Sequence, residues 1–190
     1  MIIAIEGHDG TGKTTLAKSL AKKLNFEYFK HPECELYNIS QKQYLEISKN
    51  VIKYNNSLLT SLFLSIGDNF ALHYFKNKNV ILDRHRLLNY FWNGNAETEQ
   101  IFDFSIKYFS KPDLTILLDA SPSVRLERLK ERNPKDKDLL NEALLSADNQ
   151  KIKDFLKKYD YNFIEINTDN LSKNQVLNTI LKQIKHFVKI

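Results

Sequence analysis

Residues 2–14 read Ile2-Ile3-Ala4-Ile5-Glu6-Gly7-His8-Asp9-Gly10-Thr11-Gly12-Lys13-Thr14. An apolar, β-branched run passes straight into Gly-x4-Gly-Lys-Thr, and a stretch with helical spacing, Lys13–Leu24, follows. A phosphate-binding loop needs that context, a strand before it and a helix after. The chain has only five glycines, and three of them lie in this loop. Glycine is costly inside regular elements and is used where backbone must approach a ligand or adopt unusual dihedrals.

Gly7, Gly10 and Gly12 allow consecutive N–H groups to turn inward around phosphates, and the start of the following helix adds the positive end of its dipole. Lys13 is placed to bridge the β- and γ-phosphates of ATP. Thr14 sets a hydroxyl where Mg²⁺ takes an oxygen ligand. Gly7, Gly10, Thr11, Gly12, Lys13, Thr14 and Thr15 therefore form the expected ATP-binding set, with Mg²⁺ as the cofactor. The loop alone does not separate a kinase from other nucleotide-binding proteins.

Outward from the loop, five short apolar runs alternate with longer amphipathic stretches. The strand candidates are Ile2–Glu6, Glu27–Phe29, Val80–Asp83, Leu114–Asp119 and Asn162–Asn167. The helix candidates are Lys13–Leu24, about Gln41–Tyr54, Leu58–Lys76, Glu97–Phe109, Ser123–Glu131, about Leu139–Lys158 and Lys173–Val188. Alternation of this kind predicts a parallel sheet covered by helices on both faces. The third and fourth strands lack polar alternation, which places them in the middle of the sheet. The expected fold is a three-layer α/β phosphate-loop NTPase fold with a five-stranded parallel sheet, in one domain over residues 1–190.

With 190 residues, 42% of them hydrophobic, the chain can bury a sizeable core. The single cysteine, Cys34, forms no internal disulfide and gives no metal-ligand spacing, which fits a cytoplasmic setting. The start of the chain lacks the pattern of a secretory signal. No apolar run approaches the ~20 residues that span a bilayer, so no membrane is expected. The charge of +5 is spread among 23 acidic residues, so nucleic acid is not the expected partner and small-molecule nucleotides are. Leu58–Lys76 is as well suited to pack on a second subunit as on the chain's own core, which leaves a homodimer open.

Ile81-Leu82-Asp83-Arg84-His85 sets an acid, a guanidinium and an imidazole just past the end of a buried strand, at the rim where open α/β sheets bind ligands. Asp83 is placed to hold Mg²⁺, and Arg84 to pair with a phosphate in a two-pronged fashion.

With these residues in view, the chain resembles the thymidylate kinases, nucleoside monophosphate kinases of the phosphate-loop class, over nearly its full length. The resemblance rests on Asp9 two places past the first glycine, on Asp83-Arg84-His85, on Trp92-Asn93-Gly94, and on Pro112-Asp113-Leu114-Thr115-Ile116-Leu117-Leu118-Asp119. It implies transfer of the γ-phosphoryl group of ATP to a deoxynucleoside monophosphate, with dTMP the best single guess. It further implies that Asp9 meets the acceptor sugar, that Arg84 holds the acceptor phosphate, and that Trp92 and Asn93 belong to the pocket of the acceptor base.

The helix after Asp119 supplies Arg125, Arg128 and Arg132, of which Arg128 is assigned to ATP. Gly10 stands where one family type carries an arginine, so the missing charge is expected from a short lid at about residues 132–138, through Arg132 and Lys137. Lys13, Arg84, Arg132 and Lys137 are thus the expected catalytic cations. Two places depart from the family. Phe29-Lys30-His31-Pro32-Glu33 has no arginine for the acceptor phosphate, which leaves Lys30 as the substitute. Ser65 and Asn69 stand where thymine is read. Two alternatives remain: a deoxynucleoside kinase acting on a hydroxyl, with Glu6 the evident base, and a catalytically silent nucleotide-binding regulator.

Overall fold

The computed structural model describes residues 1–135, 139, 143 and 146–187. Five strands, β1 (Ile2–Glu6), β2 (Glu27–Lys30), β3 (Val80–Asp83), β4 (Leu114–Asp119) and β5 (Phe163–Asn167), form one sheet in the order β2-β3-β1-β4-β5. Every pairing is parallel. The expected fold is the observed one, and β3 and β4 flank β1 in the middle of the sheet.

Alternate residues of each inner strand serve different layers. Ile3 and Ile5 of β1, Ile81 of β3, and Leu114, Ile116 and Leu118 of β4 pack against helices α1 (Lys13–Leu24) and α9 (Lys173–Gln183) through Leu16, Leu20, Val176 and Ile180. On the opposite face Ile2, Val80 and Leu82 meet Ala71, Leu72 and Phe75 at the end of helix α4 (Ser57–Tyr74). Leu117 meets Leu87, Phe102, Phe155 and Leu156 from helices α5 (Leu87–Asn93), α6 (Glu99–Phe109) and α8 (Gln150–Lys158). Each fully buried Leu or Ile contributes roughly 1.5–3 kcal/mol, so both layers are firmly held to the sheet.

Helices α2 (Glu33–Tyr37) and α3 (Gln41–Ile52) lie beyond β2, and α7 (Pro122–Arg132) follows β4. The short α2 and α5 are absent from the sequence expectation, because five and seven residues carry too little periodicity to read. The helix expected from about Leu139 is helical only over Gln150–Lys158 in its second half, since residues 147–149 leave the helix. There Asp148 Oδ1 accepts from the Gln150 N–H at 2.8 Å, and the buried Asn149 side chain donates to Asp119 Oδ1 at 2.9 Å. Helix α6 begins at Glu99 rather than Glu97, because Asn95 Oδ1 accepts from the N–H groups of Glu97 and Thr98. Among the described residues no helix is long and apolar enough to cross a membrane. Helix α4 leaves Leu59, Leu62 and Ile66 exposed.

Candidate active site

The C-terminal ends of β1, β3 and β4 open on a cavity of about 940 Å³, of the size that holds a nucleotide. The loop after β1 forms its floor. Gly7, Gly10 and Gly12 all take positive φ, at 132°, 87° and 96°. At Gly10 the demand is double: a Cβ there would stand 2.8–2.9 Å from the backbone of Arg125. Helix α7 passes so close to the loop that no side chain fits.

Lys13 is buried, and its Nζ donates to the His8 carbonyl at 2.7 Å and lies 3.5 Å from Asp9 Oδ1. Burial and the nearby Arg84 guanidinium lower its pKa to about 8 against the pull of Asp9. Arg84 donates to the same Asp9 oxygen. Burial alone would raise the Asp9 carboxyl, but Lys13 and Arg84 outweigh it and hold it down at about 2. Arg84 has φ 83°, a left-handed conformation at a non-glycine residue, and its N–H donates to the Ile5 carbonyl at 3.0 Å. Such a conformation is rare for a long side chain and recurs at functional sites.

Asp83 ends β3. Its Oδ2 accepts from the Thr14 hydroxyl at 2.6 Å and from the Tyr28 hydroxyl at 3.0 Å, while its buried Oδ1 has no partner among the described residues. Glu6 lies behind the loop. Its Oε1 accepts from the N–H groups of His85 and Leu87, at 2.9 and 3.2 Å, and burial raises its pKa to about 7. Glu6 thus fixes the turn that carries Arg84, and it does not line the cavity.

The cavity brings together Asp9, Gly10, Thr11, Gly12, Lys13, Thr14, Thr15, Lys30, Arg84, Arg128 and Arg132. Arg128 reaches the Gly10 carbonyl at 3.3 Å, the Thr168 hydroxyl at 2.9 Å and the Thr168 carbonyl at 2.7 Å. Lys137 lies outside the described residues, as do residues 136 and 138 of the expected lid. Ser65, Asn69, Trp92 and Asn93 are not among the lining residues. Buried Ser65 accepts from Asn89 Nδ2 at 3.3 Å. Asn69 donates to Ser105 Oγ at 3.1 Å and accepts from Arg86 at 2.9 Å, which turns it toward α6. Asn93 binds back to Asn89, and Trp92 packs edge-on against Phe91 with its surface half exposed.

One group escapes the sequence reading, and Arg125 is named there without a role. Thr168 and the start of α9, with Ser172, Lys173 and Asn174, also line the cavity; a capping box between Ser172 and Gln175 opens that helix. Arg125, fully buried, donates from Nε to the Asp9 carbonyl at 3.0 Å and from a terminal nitrogen to the Ala147 carbonyl at 2.6 Å. It ties the loop to the chain that leads into α8.

A family model described as Thymidylate kinase matches residues 5–180. A protein named probable thymidylate kinase, from Methanocaldococcus jannaschii, is 30% identical over 199 residues, covering 98% of this chain and 96% of its own. One named putative adenylate kinase, from Thermococcus kodakarensis, is 30% identical over 189 residues, covering 100% and 88%. Among solved structures, deoxyadenosine kinase from M. mycoides with bound dATP superposes with a TM-score of 0.67 at 25% identity, covering 97% of this chain and 99% of that one.

Proposed function

We propose, from the premise that this chain belongs to the thymidylate kinase family and is an ATP-dependent nucleotide kinase, that it transfers the γ-phosphoryl group of ATP to the phosphate of a deoxynucleoside monophosphate. One observation carries this reading. The cavity wall holds six basic side chains, Lys13, Lys30, Arg84, Arg128, Arg132 and Lys173, against two acidic ones, Asp9 and Glu131. Lys30 and Arg84 extend the positive wall beyond Lys13, toward the side where an acceptor enters, and they suit an anionic acceptor.

Transfer is then positional and electrostatic. An acceptor phosphate oxygen is already anionic, so no strong base is required. Lys13 meets the transferring group, Arg84 orients the acceptor phosphate, and Asp9 keeps both cations in place while meeting the acceptor sugar. Arg132 and Lys137 supply charge from the lid side and exclude water.

Thr14 and Asp83 suit Mg²⁺, since both offer hard oxygens within hydrogen-bonding reach of each other and Asp83 Oδ1 has no partner among the described residues. Mg²⁺ usually takes one or two protein oxygens and completes its shell with water and phosphates. Bound there, it neutralises charge on the donor phosphates.

The relative named probable thymidylate kinase supports dTMP as acceptor, while those named putative adenylate kinase and deoxyadenosine kinase support adenine. The placement of Ser65 and Asn69 gives thymine no reader in the cavity. A nucleoside hydroxyl as acceptor needs a carboxylate base, and Glu6, whose Oε1 accepts from two N–H groups behind the loop, does not line the cavity. ADP formation with dTMP and the other deoxynucleoside monophosphates, set against the matching nucleosides, tests the reading. Turnover of monophosphates is expected, and turnover of nucleosides alone overturns it.

A further inference from the structure

Asp83 carries its hydrogen bonds on one oxygen only. The Thr14 hydroxyl at 2.6 Å and the Tyr28 hydroxyl at 3.0 Å both donate to Oδ2, while Oδ1 is buried without a partner among the described residues. Thr14 follows directly on the phosphate loop. Tyr28 belongs neither to that loop nor to the turn after β3: it comes from β2, the edge strand of the sheet.

The sheet explains the reach. β2 and β3 run parallel, with Tyr28 opposite Ile81 and Lys30 opposite Asp83. Residues two apart on a strand share a face, so Tyr28 and Asp83 lie on the side of Ile81, which α1 covers. Two residues along a parallel strand span about 6.6 Å, a distance that a phenol bridges and a serine or threonine does not. The ring is steadied for this reach. It packs against the cluster that includes Leu16, Leu20 and Ile81, and Lys18 Nζ lies over it, 5.7 Å from the centroid. Thr14 and Lys18 are neighbours one turn apart on α1. One helix face thus presents a hydroxyl to Asp83 and flanks the ring that presents the other.

Packing alone does not call for the Tyr28 hydroxyl. Phenylalanine fills the same space, and Tyr28 is only half-buried, so water would serve its O–H. What the hydroxyl adds is a second donor on Oδ2. One hydrogen bond leaves a carboxylate free to turn about it, whereas two from separate elements, α1 and β2, fix its plane. Hydrogen bonds to a metal-binding carboxylate orient it and raise metal affinity. An ionised carboxylate only accepts, so Oδ1 is the oxygen that remains for the shell of a cation.

We propose that Tyr28 is a positioning residue for Mg²⁺: together with Thr14 it locks the Asp83 carboxylate in one rotation and leaves Oδ1 for the cation. The proposal rests on the reading of Thr14 and Asp83 as the Mg²⁺ site. It gives the edge strand, and not the phosphate loop alone, a hold on metal affinity.

The test measures ATP binding by isothermal titration calorimetry, without an acceptor, in excess Mg²⁺ and in EDTA. The proteins are the natural chain, Tyr28→Phe, Asp83→Ala and the double variant. The Mg²⁺ gain, the ratio of Kd in EDTA to Kd in Mg²⁺, is expected to fall about tenfold in Tyr28→Phe while Kd in EDTA stays unchanged. In the Asp83→Ala background Tyr28→Phe is expected to change nothing further, since the carboxylate it positions is gone. An undiminished Mg²⁺ gain in Tyr28→Phe overturns the proposal, and so does an equal weakening with and without Mg²⁺, which marks a packing role only. A full gain in Asp83→Ala overturns the metal reading and the proposal with it, whereas a gain lost in Asp83→Ala and kept in Tyr28→Phe overturns the proposal alone. Where Asp83→Ala does not fold, the gains of the natural chain and of Tyr28→Phe decide by themselves.

Discussion

The hydroxyl of Thr14 donates to Asp83 Oδ2 at 2.6 Å, which joins the first turn of α1 to the end of β3 across the phosphate loop. Two oxygens from separate elements are thus held together before any cation arrives. Asp83→Asn keeps the hydrogen bond and removes the charge, so it is expected to raise the Mg²⁺ concentration for half-maximal activity about tenfold or more, with kcat lowered. A Mg²⁺ titration of ADP formation checks this, and an unchanged midpoint removes Asp83 from the metal site.

Lys13 carries a second prediction through its lowered pKa of about 8. The cationic form binds phosphate, so kcat/KM for ATP in the free enzyme falls as pH rises through about 8. ATP adds negative charge beside the ammonium and raises its pKa, so the basic limb of kcat lies at higher pH. Lys13→Ala is expected to abolish transfer while circular dichroism shows a folded protein. A pH profile flat to pH 10 contradicts the assignment.

Arg84 reaches its position through a left-handed backbone that Glu6 fixes from behind. Removing its guanidinium leaves the backbone in place and takes away the acceptor's anchor. Arg84→Ala is expected to raise the acceptor KM tenfold or more and to lower kcat, while Arg84→Lys restores part of the charge without the fork. Steady-state kinetics at saturating ATP decide it; an unchanged acceptor KM takes Arg84 out of the acceptor site.

The fold was legible in the sequence because the inner strands and the phosphate loop carry strong local signals: three glycines in one turn, and runs such as Leu114–Asp119 with no polar alternation. The gathering of Lys13, Thr14 and Asp83 at the loop was legible for the same reason, since they sit at fixed offsets from strand ends. The surroundings of Ser65 and Asn69 were not. Which face of α4 meets the cavity depends on how Gly67 receives Glu33 and how Arg86 captures Asn69, and those are contacts between segments far apart in the chain. Arg125 was named in the sequence but given no role, because the backbone carbonyls it reaches leave no trace in side-chain pattern.

Glu6 links pH to stability. Burial lifts its folded pKa from 4.5 to about 7. A carboxyl whose pKa is raised on folding binds its proton more tightly in the folded chain. The stability this adds is fully present below pH 4.5 and is lost as pH rises through 7. Glu6→Gln keeps the acceptor for the His85 and Leu87 N–H groups and removes the titration. It is expected to flatten the fall in stability between pH 5 and pH 8 by an amount on the order of 1–3 kcal/mol, which thermal melts follow as Tm. Parallel Tm curves for the two proteins would show that another group sets the trend.

Arg125 is buried, and its guanidinium spans two backbone carbonyls, Asp9 in the phosphate loop and Ala147 before α8. His8 reinforces the same junction, with Nε2 2.8 Å from the Asp148 carbonyl and its ring edge-on to Phe91. The segment after α7 returns to the sheet at this point, so the floor of the cavity and the base of that segment are held as one unit. Arg125→Met keeps the unbranched apolar stem of the side chain and strips these hydrogen bonds. Hydrogen bonds to a charged group are worth roughly 1.5–3 kcal/mol each, and two part-buried carbonyls lose this partner. The variant is therefore expected to lose about 2–4 kcal/mol of stability, and to show a raised ATP KM below its melting range because Arg125 no longer holds the loop at Asp9. Thermal melts and ATP kinetics at 25 °C check the two effects separately. A variant that melts earlier but binds ATP as before would confine Arg125 to the fold, and one that does neither would remove it from the junction.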